Sequence, residues 1–138
     1  MVKKGVSMKR FIKLISMFMV VCIFSLHFAY AASTESGYLG SYSVSGSVGF
    51  SAYTSKVYAE TSCSSLSSNV TVEMYYYVAV ESTGTIVCAS HKTDAGTHYK
   101  RVEETYSVSS GSRPYKVTGS HSVTIPSQSW SATTDKYY

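Results

Sequence analysis

Within residues 32 to 138, three histidines, two cysteines and twelve tyrosines are the side chains whose type and spacing could do chemistry. His91 and His98 flank Asp94-Ala95-Gly96, which reads as a hairpin turn. Across such a turn two imidazoles and the Asp94 carboxylate could hold a divalent metal. Histidines solvated on either side of a hairpin are the plainer expectation, and neither a metal nor a cofactor is assigned here. His121 alternates with apolar residues, so its expected role is a hydrogen-bonded core imidazole rather than a catalytic base. A serine hydrolase would need one serine set apart from the rest, and no G-x-S-x-G elbow occurs. A hydrolase using His121 therefore ranks last among the functional readings, and the chain is expected not to be an enzyme.

Cys63 and Cys88 suggest a disulfide, because the chain carries an export signal and exported proteins meet an oxidising compartment. Closing a loop of about 26 residues would contribute about 3 to 4 kcal/mol in the chain-entropy model. In a plain meander the two residues would lie roughly 26 Å apart, whereas bridged Cα atoms must approach within about 7 Å. The expected bridge thus requires the link Ser64 to Asn69 to cross between two sheets. Two isolated cysteines lack the paired spacing of a structural zinc site.

Tyrosine is the more suggestive residue. Tyr75 and Tyr77 stand two apart beside Glu73, and Tyr58, Tyr99 and Tyr106 belong to other strands. Outward tyrosines separated by serine make a rigid, amphipathic surface at low entropic cost, suited to protein contact and to stacking on sugar rings. Glu73, Tyr75, Tyr77 and Tyr99 form the candidate binding surface. Cross-strand aromatic pairing that only stabilises a sheet is the competing explanation. Asn69-Val70-Thr71 fits a glycosylation pattern, and a turn asparagine opening a strand explains it equally well.

Strands must position these residues, since no stretch outside the N-terminal leader has the length and 3.6-residue period of an amphipathic helix. In 42 to 52 the even positions, Tyr42, Val44, Gly46, Val48, Phe50 and Ala52, suit a core, and the odd ones are Ser43, Ser45, Ser47, Gly49 and Ser51. Serine there supplies a small, wettable residue that resists sheet stacking. A bend or bulge is expected near Gly46 or Gly49. Residues 70 to 80 put Val70, Val72, Met74, Tyr76, Val78 and Val80 inward, and 115 to 125 put Tyr115, Val117, Gly119, His121, Val123 and Ile125 inward. Further strands are expected over 56 to 63, 85 to 91, 98 to 108 and around Trp130. Ser82-Thr83-Gly84 reads as a second hairpin turn and Ser109 to Pro114 as a longer loop. YSVSGSV at 42 recurs as YKVTGSH at 115, and its inward Gly46 and Gly119 leave room for a bulky neighbour, with Trp130 the candidate. The fold expected is an all-β antiparallel sandwich, or a partly open barrel, of six to eight strands.

Residues 1 to 31 read as a secretory signal peptide cleaved after Ala31: basic residues, an apolar stretch from Leu14 to Phe28, then Ala29-Tyr30-Ala31. The apolar stretch is short of the roughly 20 residues a membrane span needs. The remaining 32 to 138 are expected to form one secreted, extracellular domain. Five of the twelve basic residues sit in the leader, so seven stand against eight acids afterwards. The field that drives nucleic-acid binding is then missing.

A small secreted protein acting by surface binding, on a glycan or a cell-surface protein, is the leading functional expectation. In layout the chain also resembles the small β-sandwich bacteriocins of lactococci, which are exported, short and rich in Ser, Tyr and Gly. That resemblance implies an antibacterial or toxin-like role as the alternative.

Overall fold

The computed structural model describes residues 32–106 and 111–138. The expected leader, residues 1–31, and the end of the strand expected over 98 to 108 lie outside the described residues. Eight strands follow in order: β1 Ser33–Leu39, β2 Tyr42–Ser51, β3 Lys56–Cys63, β4 Asn69–Val80, β5 Ile86–Thr97, β6 Tyr99–Thr105, β7 Ser112–Ile125 and β8 Gln128–Tyr137. All pairings are antiparallel, in two four-stranded sheets ordered β1-β2-β3-β6 and β5-β4-β7-β8. We call these sheet A and sheet B. Alternation of side chains builds them: in β3 every second residue, from Val57 to Cys63, is buried.

The apolar faces meet in two clusters. One holds Val48, Phe50, Val57, Val72, Met74, Tyr76 and Val117, and the other holds Val44, Cys63, Val70 and Val123. Burying each of these side chains contributes about 1.5 to 3 kcal/mol. Tyr76 packs edge-on against Phe50, and burial pushes its phenol up to about 12, so it stays protonated.

Between the clusters lies a polar layer centred on His121, which is 1% exposed. Gly46 of sheet A and Gly119 of sheet B face its ring. A Cβ at Gly46 would sit well inside contact distance of the ring carbons, and one at Gly119 would meet Nε2 at 2.6 Å. The recurring Tyr-Val-Gly pattern therefore makes room for His121. Trp130 instead packs at the β1/β8 edge, where a Cβ on Gly37 would approach its Nε1 to 2.9 Å. The opposite edge is closed by charge: Lys92 to Glu104 at 2.9 Å and Lys100 to Asp94 at 3.3 Å link β5 to β6.

Several expectations are corrected. β2 pairs with β3 without a break in register, so neither Gly46 nor Gly49 marks a bulge. The bulges fall instead on either side of Tyr77, where the pairings pass over Ala89 of β5 and Tyr115 of β7. They turn Ala79 into the buried residue and leave Tyr115 exposed, reversing the sorting proposed for both. Asp94-Ala95-Gly96 is not a turn; all three residues pair with β4, and the chain turns at His98, whose φ is +66°. β7 begins at Ser112, inside the expected loop. The turn at Ser82-Thr83-Gly84 is present, with Gly84 at φ +69° and its N–H donating to the Val80 carbonyl at 2.7 Å.

The disulfide is the other correction. Ser64 to Ser68 does cross from sheet A to sheet B, yet Cys63 and Cys88 are both free thiols, one buried and one exposed. Cys63 packs with Val70 near the start of β4, whereas Cys88 pairs with Tyr77. Seven residues of strand separate those levels, roughly 23 Å, so the crossing brings the wrong end of β5 to Cys63.

Candidate functional site

A groove crosses the solvent face of sheet A at the end where the chain passes to sheet B. Register sets its floor: Tyr99, Ser62, Ser45 and Ser36 lie side by side on β6, β3, β2 and β1, and the next row holds Ser43 beside Tyr38. The serines of these rows, with Tyr38, Ser64 and His98, line about 350 Å³, and Tyr99 ends the row on β6 beyond that lining. Three interstrand steps separate the β6 and β1 edges, about 14 Å. Tyr38 is 77% exposed at one edge and Tyr99 45% exposed at the other. Serine on three adjacent strands keeps the floor low between them.

The polar groups of the groove are partly committed. Ser45 Oγ and Ser62 Oγ are 2.8 Å apart, and the Ser43 amide donates to Ser64 Oγ at 3.0 Å. The hydroxyls of Ser36 and Ser43 make no side-chain hydrogen bond among the described residues, which leaves two donor-acceptors facing the groove. His98 Nδ1 donates to the Cys63 carbonyl at 2.6 Å, which fixes the ring and leaves Nε2 for a partner.

Tyr99 leans across to Glu60 on β3, whose Oε2 accepts its hydroxyl at 2.9 Å. Burial and then this hydrogen bond raise the Tyr99 phenol. The same Oε2 accepts from Arg101 at 2.9 Å, and Oε1 accepts from Ser47 at 3.1 Å. Arg101 lies 4.0 Å over the Tyr58 ring, which itself covers Gly49. Lys56 and Arg101 both reach Glu103. Beyond the groove, sheet A is therefore an interlocked set of charges around a covered ring.

The other expected surface residues lie on the opposite side of the sandwich. Glu73, Tyr75 and Tyr77 face outward from β4 in sheet B, so they cannot act together with Tyr99 on one small ligand. Tyr75 stacks on His91 with ring centroids 4.3 Å apart and planes 6° apart. Glu73 Oε1 accepts from Tyr75 at 2.8 Å and from His91 Nε2 at 2.7 Å. These bonds, Tyr75 first and then His91, lower the Glu73 carboxyl, and the bond to Glu73 raises the Tyr75 phenol. Tyr77 stands level with Cys88 and Lys116 and is half-buried.

The histidines do not converge. His91 belongs to the Glu73 cluster, His98 to the groove, and Asp94 pairs with Lys100 between the sheets. His121 is fully engaged. Thr61 Oγ1 donates to the Thr71 carbonyl at 3.1 Å, so at 2.9 Å it must accept from Nδ1–H. Thr134 Oγ1 then donates to Nε2 at 2.8 Å. Burial lowers this imidazole to about 4, and it is neutral near pH 7.

Sequence reasoning missed Tyr38, Ser36 and the pairing that gathers the serines. Gly40-Ser41 after Gly37-Tyr38-Leu39 was the available signal for β1, a two-residue turn with Gly40 at φ +60°. Comparison with protein-family models, with curated proteins and with solved structures gave no match.

Proposed function

We propose that this protein is an exported, non-catalytic binding module that holds a hydroxyl-rich glycan in the groove of sheet A. Sugar rings present apolar C–H faces and a rim of hydroxyls. Tyr38 and Tyr99 offer apolar faces to the first, and the serine floor with His98 Nε2 offers donors and acceptors to the second. The observation that supports the reading is the register, which sets two exposed tyrosines, Tyr38 and Tyr99, at opposite edges of a row of serines. A span of about 14 Å suits two or three linked sugar units lying across the strands. Three serines side by side let a ligand approach the backbone more closely than any larger residue would.

Retention of the secreted protein on insoluble polysaccharides, among them peptidoglycan, chitin and cellulose, tests the reading. The wild type is expected to be retained on at least one and eluted by its soluble fragments. The Tyr38→Ala, Tyr99→Ala double variant is expected to pass through. Equal retention of the two proteins would refute the reading.

A further inference from the structure

The groove stands over the Val44 and Cys63 cluster, and the polar layer inside the sandwich begins next to it, one residue further along β2 and β3. Gly46 and Thr61 are opposed across β2 and β3 and face His121, while their neighbours Ser45 and Ser62 are opposed on the outward side. The strand pair that forms the groove floor is therefore pinned from below by one imidazole. Thr61 connects it to sheet A, and Thr134 and the Thr71 carbonyl complete the chain in sheet B.

We propose that His121 is a proton-sensitive latch for the groove: acidification releases the strands carrying Ser45 and Ser62 and weakens ligand binding. This rests on the groove being the binding site. With Nδ1–H given to Thr61, a second proton must go on Nε2, where the Thr134 hydroxyl now donates. Thr134 would have to turn its hydroxyl away, and the cation would remain buried.

Among the described residues no carboxylate contacts it, although Glu60 on the outer face of β3 favours the proton through space and partly offsets burial. Across the layer, β2 contributes Gly46, β3 Thr61, β4 Val72 and β8 Ala132 and Thr134. At the β5/β6 edge Asp94 and Lys100 face inward but neutralise one another at 3.3 Å. At the other edge Glu35, opposite Gly46 on β1, is exposed to water. The carboxylates of Glu60, Glu73 and Asp135 belong to the outer faces, with their own partners. Cys63 is the remaining titratable group on β3 facing the interior.

The sign follows from the direction of the shift. An unfolded histidine binds its proton near pH 6.5, whereas His121 resists until about 4. The latch is thus fully set above about pH 6.5 and is weakened as the pH falls toward 4. The displacement corresponds to about 300-fold in the closed-to-open ratio.

Nuclear magnetic resonance on the secreted protein between pH 7 and pH 3.5 tests this without a ligand. The His121 ring and the Ser45 and Ser62 amides are expected to titrate together with one midpoint between 4 and 5. That amide response is expected to persist in Glu60→Gln and vanish in His121→Gln. A His121 ring that titrates near 6.5, or amides that follow Glu60 instead, would overturn the latch. If His121→Gln does not fold, the wild-type ring and the Glu60→Gln amides still decide the matter. Polysaccharide retention at pH 7 and pH 4 then reads the effect on binding. Coupled ring and amide titration with no retention at either pH would leave the latch standing and remove the groove reading instead.

Discussion

The two outer faces of the sandwich draw on the same few residue types and put them to different use. Each has a glutamate accepting a tyrosine hydroxyl, Glu60 with Tyr99 on sheet A and Glu73 with Tyr75 on sheet B. What differs is the neighbour across the strand. Tyr99 is opposed by Ser62 and Tyr38 by Ser43, so both rings keep an open face. Tyr75 is opposed by His91, which stacks on it, and Tyr137 packs edge-on against Tyr115 under the charge of Lys116. A tyrosine beside serine remains available to a partner, whereas a tyrosine beside another ring is spent on the sheet.

Five sets of substitutions would break or sharpen this contrast. The largest effect is expected from Gly46→Ala, which drives a methyl group into the His121 ring beneath sheet A. A loss of about 3 kcal/mol, the upper end for overpacking, should appear in urea denaturation. An unchanged midpoint would mean that the ring does not fill that space. Next, Tyr38→Ala with Tyr99→Ala should weaken glycan retention about 30-fold, as expected for two anchor rings worth about 2 kcal/mol. Tyr75→Ala with Tyr77→Ala should leave retention within about twofold while lowering stability by about 1 kcal/mol. The reverse pattern would transfer binding to sheet B.

A smaller effect is expected at the two carboxylates. Glu60→Gln removes the partner of Arg101 and should cost about 1 kcal/mol, and Glu73→Gln should cost less because its bonds lie in water. The smallest change in stability belongs to Cys88→Ser, within about 0.5 kcal/mol. Of the two cysteines in residues 32–138, Cys88 should react with a water-soluble alkylating reagent in the native protein, and Cys63 should react only after unfolding. If neither Cys63 nor Cys88 reacts in either state, the two carry the bridge that this structure lacks.

Period-two alternation made most of the fold readable in advance. It found β2, β4 and most of β7, because each packs a largely apolar face on the core, and β3 was expected beside them. It failed where something other than burial sets the geometry. The bulges at Ala89 and Tyr115 add a residue that no local composition announces, so Ala79 and Tyr115 were assigned to the wrong faces. Asp94 reads as a turn residue, yet it and Lys92 point between the sheets. Their charge is satisfied by β6, a pairing that only the tertiary fold creates. Cysteine spacing carried no information about which end of β5 would lie near Cys63.

The site was legible in part. Tyr99 and the regular serines of β2 were recognisable, but their meaning depends on β1 and β6 lying at opposite edges of one sheet. Tyr38, the other wall of the groove, sits in a strand of mostly exposed polar residues with little alternation to mark it. The role expected for His121 agrees with its buried, doubly bonded position, and its relation to the groove appears only once β2 and β3 are paired over it.

Amide shift mapping with soluble cell-wall oligosaccharides at pH 7 tests the central claim most directly. Perturbations confined to Ser36, Tyr38, Ser43, Ser45, Ser62 and Tyr99 are predicted, with Glu73, Tyr75 and His91 unmoved. Shifts clustered on Glu73, Tyr75 and Tyr77, or none at any saccharide concentration, would contradict it.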